Sequence, residues 1–287
     1  MGIPIFALEG IGGSGKSHIL KILADRFSAN RYSVLTHKIG GLGDTPSIRL
    51  LKNIRLKRLE LKRNGQWTDR WEQDRLRDRL YRIAMRQQIR EFQKELGQGD
   101  VDVVLLDRTP LMIWAFAAAN NVLNPYLSEI ETEVLCYAEK LNLTKVYLFD
   151  LPIEIAYARI IIRYWSPELA LDDFVQEACH SLGATENETL VILENTLPLV
   201  ETFSQYQHKT LDGWDAITPL FVKKMERNFH KQILLKCQRQ FGLQFQLIDV
   251  NQPIQTVADC IYRDMLLAMN VPNLATQHVE VMKWTKK

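Results

Sequence analysis

Gly10-Ile11-Gly12-Gly13-Ser14-Gly15-Lys16-Ser17 matches G-x-x-x-x-G-K-[ST] without a mismatch. Its flanks constrain the chain as much as the string does. Ile3 to Leu8 (IPIFAL) is a short apolar run that reads as a buried strand ending in the glycines. Residues 16–29 then place Ile19, Leu20, Ile22, Leu23 and Phe27 at helical spacing. A strand, a glycine-rich turn and a helix start together form an anion cradle. Glycines let backbone N–H groups converge on phosphate oxygens without Cβ clashes, and the helix end adds partial positive charge. In such a cradle Gly10, Gly12, Gly13, Ser14 and Gly15 line the triphosphate, Lys16 reaches the β- and γ-phosphates, and the Ser17 hydroxyl binds Mg²⁺. The expected ligands are therefore ATP and Mg²⁺.

The rest of the chain alternates strand and helix patterns, which predicts a parallel sheet with helices on both faces. Strands are expected at Tyr32 to Thr36, Val101 to Leu106, Val146 to Phe149 and Phe245 to Val250. Helices are expected over roughly 47–63, 70–96, 110–119, 127–141 and 153–164, and from Pro253 to about Met269. Residues 165–243 break the rhythm. They look helical, with no convincing strand, and read as an insertion or long lid between the fourth and fifth strands. The expected architecture is a P-loop three-layer α/β/α domain over 1–270 with a five-stranded parallel sheet, a helical insertion or lid at 165–220, and a tail at 271–287. The helices at 70–96 and 110–119 offer a face for a homodimer.

Composition is ordinary for a globular chain: 46% hydrophobic and 24% charged over 287 residues, net +2. No apolar run approaches the ~20 residues of a membrane helix. The opening MGIPIFALEG has no basic region or long apolar stretch, so no signal peptide is expected. The four cysteines form no CxxC pair, and a reduced, cytoplasmic protein without zinc is expected. Charge is uneven along the chain. Residues 49–94 carry 15 basic and 6 acidic residues, whereas 165–220 carry 10 acidic and one basic. The basic stretch fits an anionic small substrate, a nucleic acid or a solvated helix face.

Four further segments, in order, extend the pattern: Ala84-Met85-Arg86-Gln87-Gln88; Asp107-Arg108 after an apolar strand; Leu148-Phe149-Asp150-Leu151-Pro152 with Ala156-Tyr157-Ala158-Arg159; and Ile248-Asp249-Val250-Asn251-Gln252-Pro253. With Phe6-Ala7-Leu8-Glu9-Gly10 running into the glycine loop, this set resembles the thymidylate kinase family of P-loop kinases over about 1–165 and 220–270. The resemblance implies phosphoryl transfer from ATP to an anionic small-molecule acceptor, itself phosphorylated. Asp107 would sit at the reacting phosphate and the Mg²⁺, orienting or deprotonating the acceptor. Arg108 would hold the acceptor phosphate and Arg86 its base. Arg159 and Arg163 would neutralise the transferring group from the base of a lid. Arg49 and Arg82 join Arg108 and Arg86 as expected acceptor-side cations. Glu9 is expected to hold the loop by hydrogen bonds.

Three positions depart from that family. Gly12 stands where most members carry an acidic residue, Thr36-His37-Lys38-Ile39-Gly40-Gly41 lacks the Arg-Glu-Pro core of T-R-E-P-G-G, and Arg82 stands where an aromatic ring stacks on thymine, with Tyr81 beside it. The donor apparatus is kept and the acceptor apparatus altered. Three readings stay open: a kinase of nucleotides or nucleosides, a kinase of this fold with a non-nucleotide or phosphorylated small-molecule acceptor, and a P-loop regulator or ATPase. Nucleic acid and membrane are not expected partners. Asp107-Arg108 also fits a plain strand-end ion pair, and the arginines of 82, 86, 159 and 163 also fit solvated helix faces.

Overall fold

The computed structural model describes residues 2–39, 49, 53, 70–120, 125–153, 155–156, 159 and 220–270. Five strands, β1 (Ile5–Glu9), β2 (Val34–Lys38), β3 (Val103–Asp107), β4 (Lys145–Asp150) and β5 (Phe245–Asp249), form one sheet in the order β2-β3-β1-β4-β5. Every pairing is parallel. Six helices accompany it among the described residues: α1 (Lys16–Ala29), α2 (Arg70–Gln98), α3 (Leu111–Asn120), α4 (Leu127–Leu141), α5 (Leu220–Phe241) and α6 (Ile254–Asn270).

The near-continuous apolar strands follow from burial on both faces. Alternate side chains enter different cores. Ile5 and Ala7 of β1, Val104 and Leu106 of β3, and Val146 and Leu148 of β4 meet α2, α3, α4 and α5. Phe6 and Leu8, Val103 and Leu105, and Tyr147 and Phe149 meet α1 and α6 on the other side. The helices supply matching stripes: Ile19, Leu23 and Phe27 on α1, and Ile130, Val134, Ala138 and Leu141 on α4.

Three strands, β1, β2 and β3, start two residues later than the apolar pattern suggests. Tyr32 precedes β2, because Asn30 caps α1 and Arg31 turns the chain at φ 67°, and the Tyr32 ring packs edge-on against Phe27. Asp107 is the last residue of β3, in register with Leu8 and Lys38, so its carboxylate projects from the ladder itself.

The reading of 165–243 as one insertion needs correction at its end. Residues 220–241 are a single helix, α5, that belongs to a layer of the domain: Ile233, Leu234 and Cys237 enter the main core. The helix expected at 110–119 does not offer a dimer face. All nine α3 side chains described are buried or half-buried, and Trp114 meets Phe229 of α5 edge-on at 5.5 Å. An apolar helix without a polar stripe is an interior helix. The expected helix at 47–63 falls outside the described residues apart from helical positions 49 and 53, and 165–219 and 271–287 fall outside them too.

Candidate functional site

The glycine-rich segment occupies the carboxyl end of the central strand β1, where open parallel sheets hold their ligands. Gly15 caps α1 in the left-handed region at φ 87°, and α1 has neither a side-chain cap nor an acidic residue in its first turn. Its first amides are thus left for an anion. Gly13 has φ 81°, and a Cβ built there would lie 2.2 Å from the carbonyl oxygen of Ala156. The chain beyond β4 therefore rests on the bare loop backbone. Gly13→Ala is expected to displace the loop, lowering stability by on the order of 2–4 kcal/mol and weakening triphosphate binding at least tenfold. Denaturant unfolding and tripolyphosphate titration would measure both. An unchanged midpoint together with unchanged binding would refute the contact's importance.

Lys16 lies inside this loop, 5% exposed. Its ammonium donates to the carbonyls of Gly10 and Ile11, each at 2.7 Å, and to Ser14 Oγ at 3.1 Å. Burial pushes its pKa down to about 7, the Arg108 charge adding to the effect against Asp107, Glu9 and Glu226. The Ser17 hydroxyl donates to Asp107 Oδ2 at 2.7 Å, and Lys38 Nζ stands 3.6 Å from the same oxygen. Burial raises the Asp107 pKa, but the charges of Lys16 and Lys38, the Ser17 hydroxyl and Arg108 together outweigh it and hold the carboxyl below its usual range. Among the described residues Asp107 Oδ1 is buried without a hydrogen-bond partner.

Arg108 stands at φ 78°, a strained conformation for a side chain with Cβ. Its neighbours fix it from both sides. The Arg108 amide donates to Leu8 O at 3.0 Å, and the Thr109 amide and hydroxyl both donate to Glu9 Oε1 at 2.5 Å. Glu9 thus clamps the end of β3 to the end of β1, a different use from the loop-holding role expected of it. Thr109 escaped the sequence reading, because nothing local marks a threonine as the partner of a carboxylate 100 residues away.

Compared with protein-family models and with curated proteins, the chain matches none. The site therefore rests on its own geometry. That geometry joins the buried Lys16 and Asp107 with the exposed Ser17 in one cluster at the glycine loop. Arg159 approaches it as well, its Nη1 3.5 Å from Gly13 O.

Arg82 and Arg86 are engaged elsewhere. Both guanidiniums bond Glu133 of α4 at 2.5 Å, and Arg82 also lies 3.7 Å from Glu129. Burial raises the Glu133 pKa, but hydrogen bonds from Arg86 and Arg82 outweigh it and keep the carboxyl ionised. This network pins α2 to α4, so the acceptor-base role expected of Arg86 and the acceptor-side role expected of Arg82 meet a structural use of the same groups. Arg49 is helical and exposed, and Arg163 lies outside the described residues.

A cavity of about 270 Å³ opens beside the loop, lined by Gly10, Ile11, Phe149, Asp150, Arg227 and His230 among others. Arg227 bonds Asp150, fastening α5 to the end of β4. Glu226 and His230 of α5 are both buried, and sequence reasoning assigned them nothing. On α5 they precede Ile233, Leu234 and Cys237 along one buried stripe, a spacing that marks burial but not the groups that face them.

Proposed function

We propose that this protein is an ATP-dependent phosphotransferase similar to thymidylate kinases, transferring the γ-phosphate of ATP to a nucleotide- or nucleoside-like acceptor. The observation that carries the reading is the Ser17–Asp107 hydrogen bond at 2.7 Å beside the buried Lys16 ammonium. A hydroxyl and a carboxylate brought together from α1 and β3 are the protein oxygens a magnesium ion takes when phosphates supply the rest. The unpartnered Asp107 Oδ1 is a further acceptor atom for that ion. Bound there, Mg²⁺ neutralises charge on the transferring group.

The chain's own residues do the remainder. The loop amides and the α1 terminus orient the triphosphate. Lys16 exchanges its carbonyl contacts for phosphate oxygens, Arg108 holds the acceptor's anionic group, and Arg159 stands over the loop at Gly13 to stabilise charge on the moving phosphoryl. Phosphoryl transfer needs this positioning and cationic stabilisation more than covalent chemistry.

A second reading, a kinase of the same fold with a non-nucleotide acceptor, draws support from Arg82 and Arg86. Their engagement with Glu133 leaves both expected acceptor-side arginines committed to joining two helices. One experiment addresses both readings. The protein is incubated with Mg·ATP and a panel of nucleosides, nucleotides and sugar phosphates, and ADP formation is measured. ADP formation that depends on a single nucleotide or nucleoside supports the first reading, and on a sugar phosphate the second. Hydrolysis indifferent to every acceptor, or an absence of Mg·ATP binding, would refute the phosphotransferase.

A further inference from the structure

Lys38, the last residue of β2, lies in register with Asp107, the last residue of β3. Neighbouring strands run about 4.8 Å apart, so the ladder itself keeps this lysine beside that carboxylate. The Ile39 amide donates to Asp107 O at 3.2 Å and the Ile39 side chain is fully buried, which fixes the backbone just past the lysine. The stem of Lys38 then decides where its charge goes. Its ammonium stands 3.6 Å from Asp107 Oδ2, the oxygen that already accepts the Ser17 hydroxyl. At that distance the contact is an ion pair without a hydrogen bond. A third of the Lys38 side chain is exposed, against 7% for Asp107.

Two other cations face Asp107, Lys16 and Arg108. Lys16 is bonded inside the loop, and Arg108 stands on a backbone held by Leu8. Lys38 differs from both: it reaches Oδ2 itself, from an accessible stem with four rotatable carbons.

We propose that Lys38 is the placeholder cation of this site, balancing Asp107 until a divalent cation arrives with the triphosphate and withholding the site from divalent cations that arrive alone. That the divalent cation is magnesium rests on the phosphotransferase reading; the place of the ammonium at Oδ2 does not. The oxygens of Ser17 and Asp107 would hold such an ion by direct contact. An ammonium 3.6 Å from one of them is too close to share it, because cations at that range repel strongly where little water intervenes. Lys38 therefore has to swing out, and its exposed stem allows this without disturbing the ladder. A polyphosphate reverses the charge balance, so that lysine and metal each have an anionic partner. Without it they compete for one carboxylate.

The test uses Mn²⁺, a paramagnetic stand-in for Mg²⁺, titrated into the nucleotide-free full chain while electron paramagnetic resonance reads the unbound ion. Lys38→Met is expected to bind Mn²⁺ about tenfold more tightly than wild type, and Lys38→Arg, which keeps the charge, to bind as wild type. Lys38→Gln, a polar replacement for a strand end, should show the same gain as methionine. The gain should vanish when Asp107→Asn is added, which locates it at this carboxylate. Affinity unchanged by methionine or glutamine, raised equally by arginine, or still raised beside Asp107→Asn would overturn the proposal.

Melting temperatures give a second readout. Mg²⁺ without nucleotide should raise that of Lys38→Met by a few degrees more than that of wild type, and equal rises would count against the placeholder. Repeating the Mn²⁺ titration with ATP present separates this proposal from the reading beneath it. A wild-type chain that retains no Mn·ATP sinks the phosphotransferase, and the nucleotide-free comparison still decides the role of Lys38. A wild-type chain that holds Mn·ATP, with no gain in Lys38→Met, sinks the placeholder and leaves the phosphotransferase standing.

Discussion

Lys16→Ala is expected to abolish phosphoryl transfer, a loss of at least about 10³-fold in kcat, while the protein still unfolds cooperatively. The variant deletes a cation that has no substitute inside the loop. It also removes three hydrogen bonds, but their acceptors are two loop carbonyls and a serine hydroxyl that the vacated space and solvent can serve. Turnover within a few-fold of wild type would end the assignment.

The same residue predicts a pH effect with a definite sign. The folded pKa is about 7 against 10.5 for an ordinary lysine. Between those values the unfolded chain binds more protons than the folded one, so stability rises with pH. From pH 7 to pH 9 the gain is about 2 kcal/mol, and Lys16→Met is expected to lose it. Stability curves of the two proteins that run parallel across that range would refute the depressed pKa. A triphosphate restores the ammonium, so its binding should take up a proton above pH 7. Calorimetry in buffers of different ionisation enthalpy would detect the uptake.

Asp107→Asn is expected to lower kcat by about 10²–10³-fold and to change the affinity for ATP without magnesium by only a few-fold. Asparagine keeps an oxygen for the Ser17 hydroxyl but loses the charge that faces Lys16, Lys38 and Arg108. The effect should therefore appear where metal and reacting phosphate meet. Raised magnesium should recover part of the lost rate. Equal losses in turnover and metal-free nucleotide binding would make Asp107 a structural residue instead.

The glycine-loop part of this site was legible because its determinants are local. A glycine loop, its lysine and its serine are contiguous, and the strand and helix that frame them announce themselves by period. The end of β3 was legible as a strand stop, although Asp107 is in the ladder and not beyond it. The surroundings of that loop were not legible in the same way. Arg86 reads as a cleft arginine from its motif, yet its partner Glu133 lies 47 residues away on another helix. Glu226 and His230 read as ordinary polar residues of a helix, and only the docking of α5 against the loop gives them a common environment. Ion pairs and buried polar groups of this sort are set by tertiary distance, which composition and spacing do not encode.

The encased α3 carries a cost in time. Its cover, α5, is encoded about 100 residues later, so at the usual 5–20 residues per second the ribosome delivers it roughly 5–20 s after α3 has emerged. Through that interval Trp114 lacks the Phe229 ring it packs against. The nascent chain should therefore depend on chaperones, and a fragment ending before Leu220 should aggregate where the intact polypeptide stays dispersed.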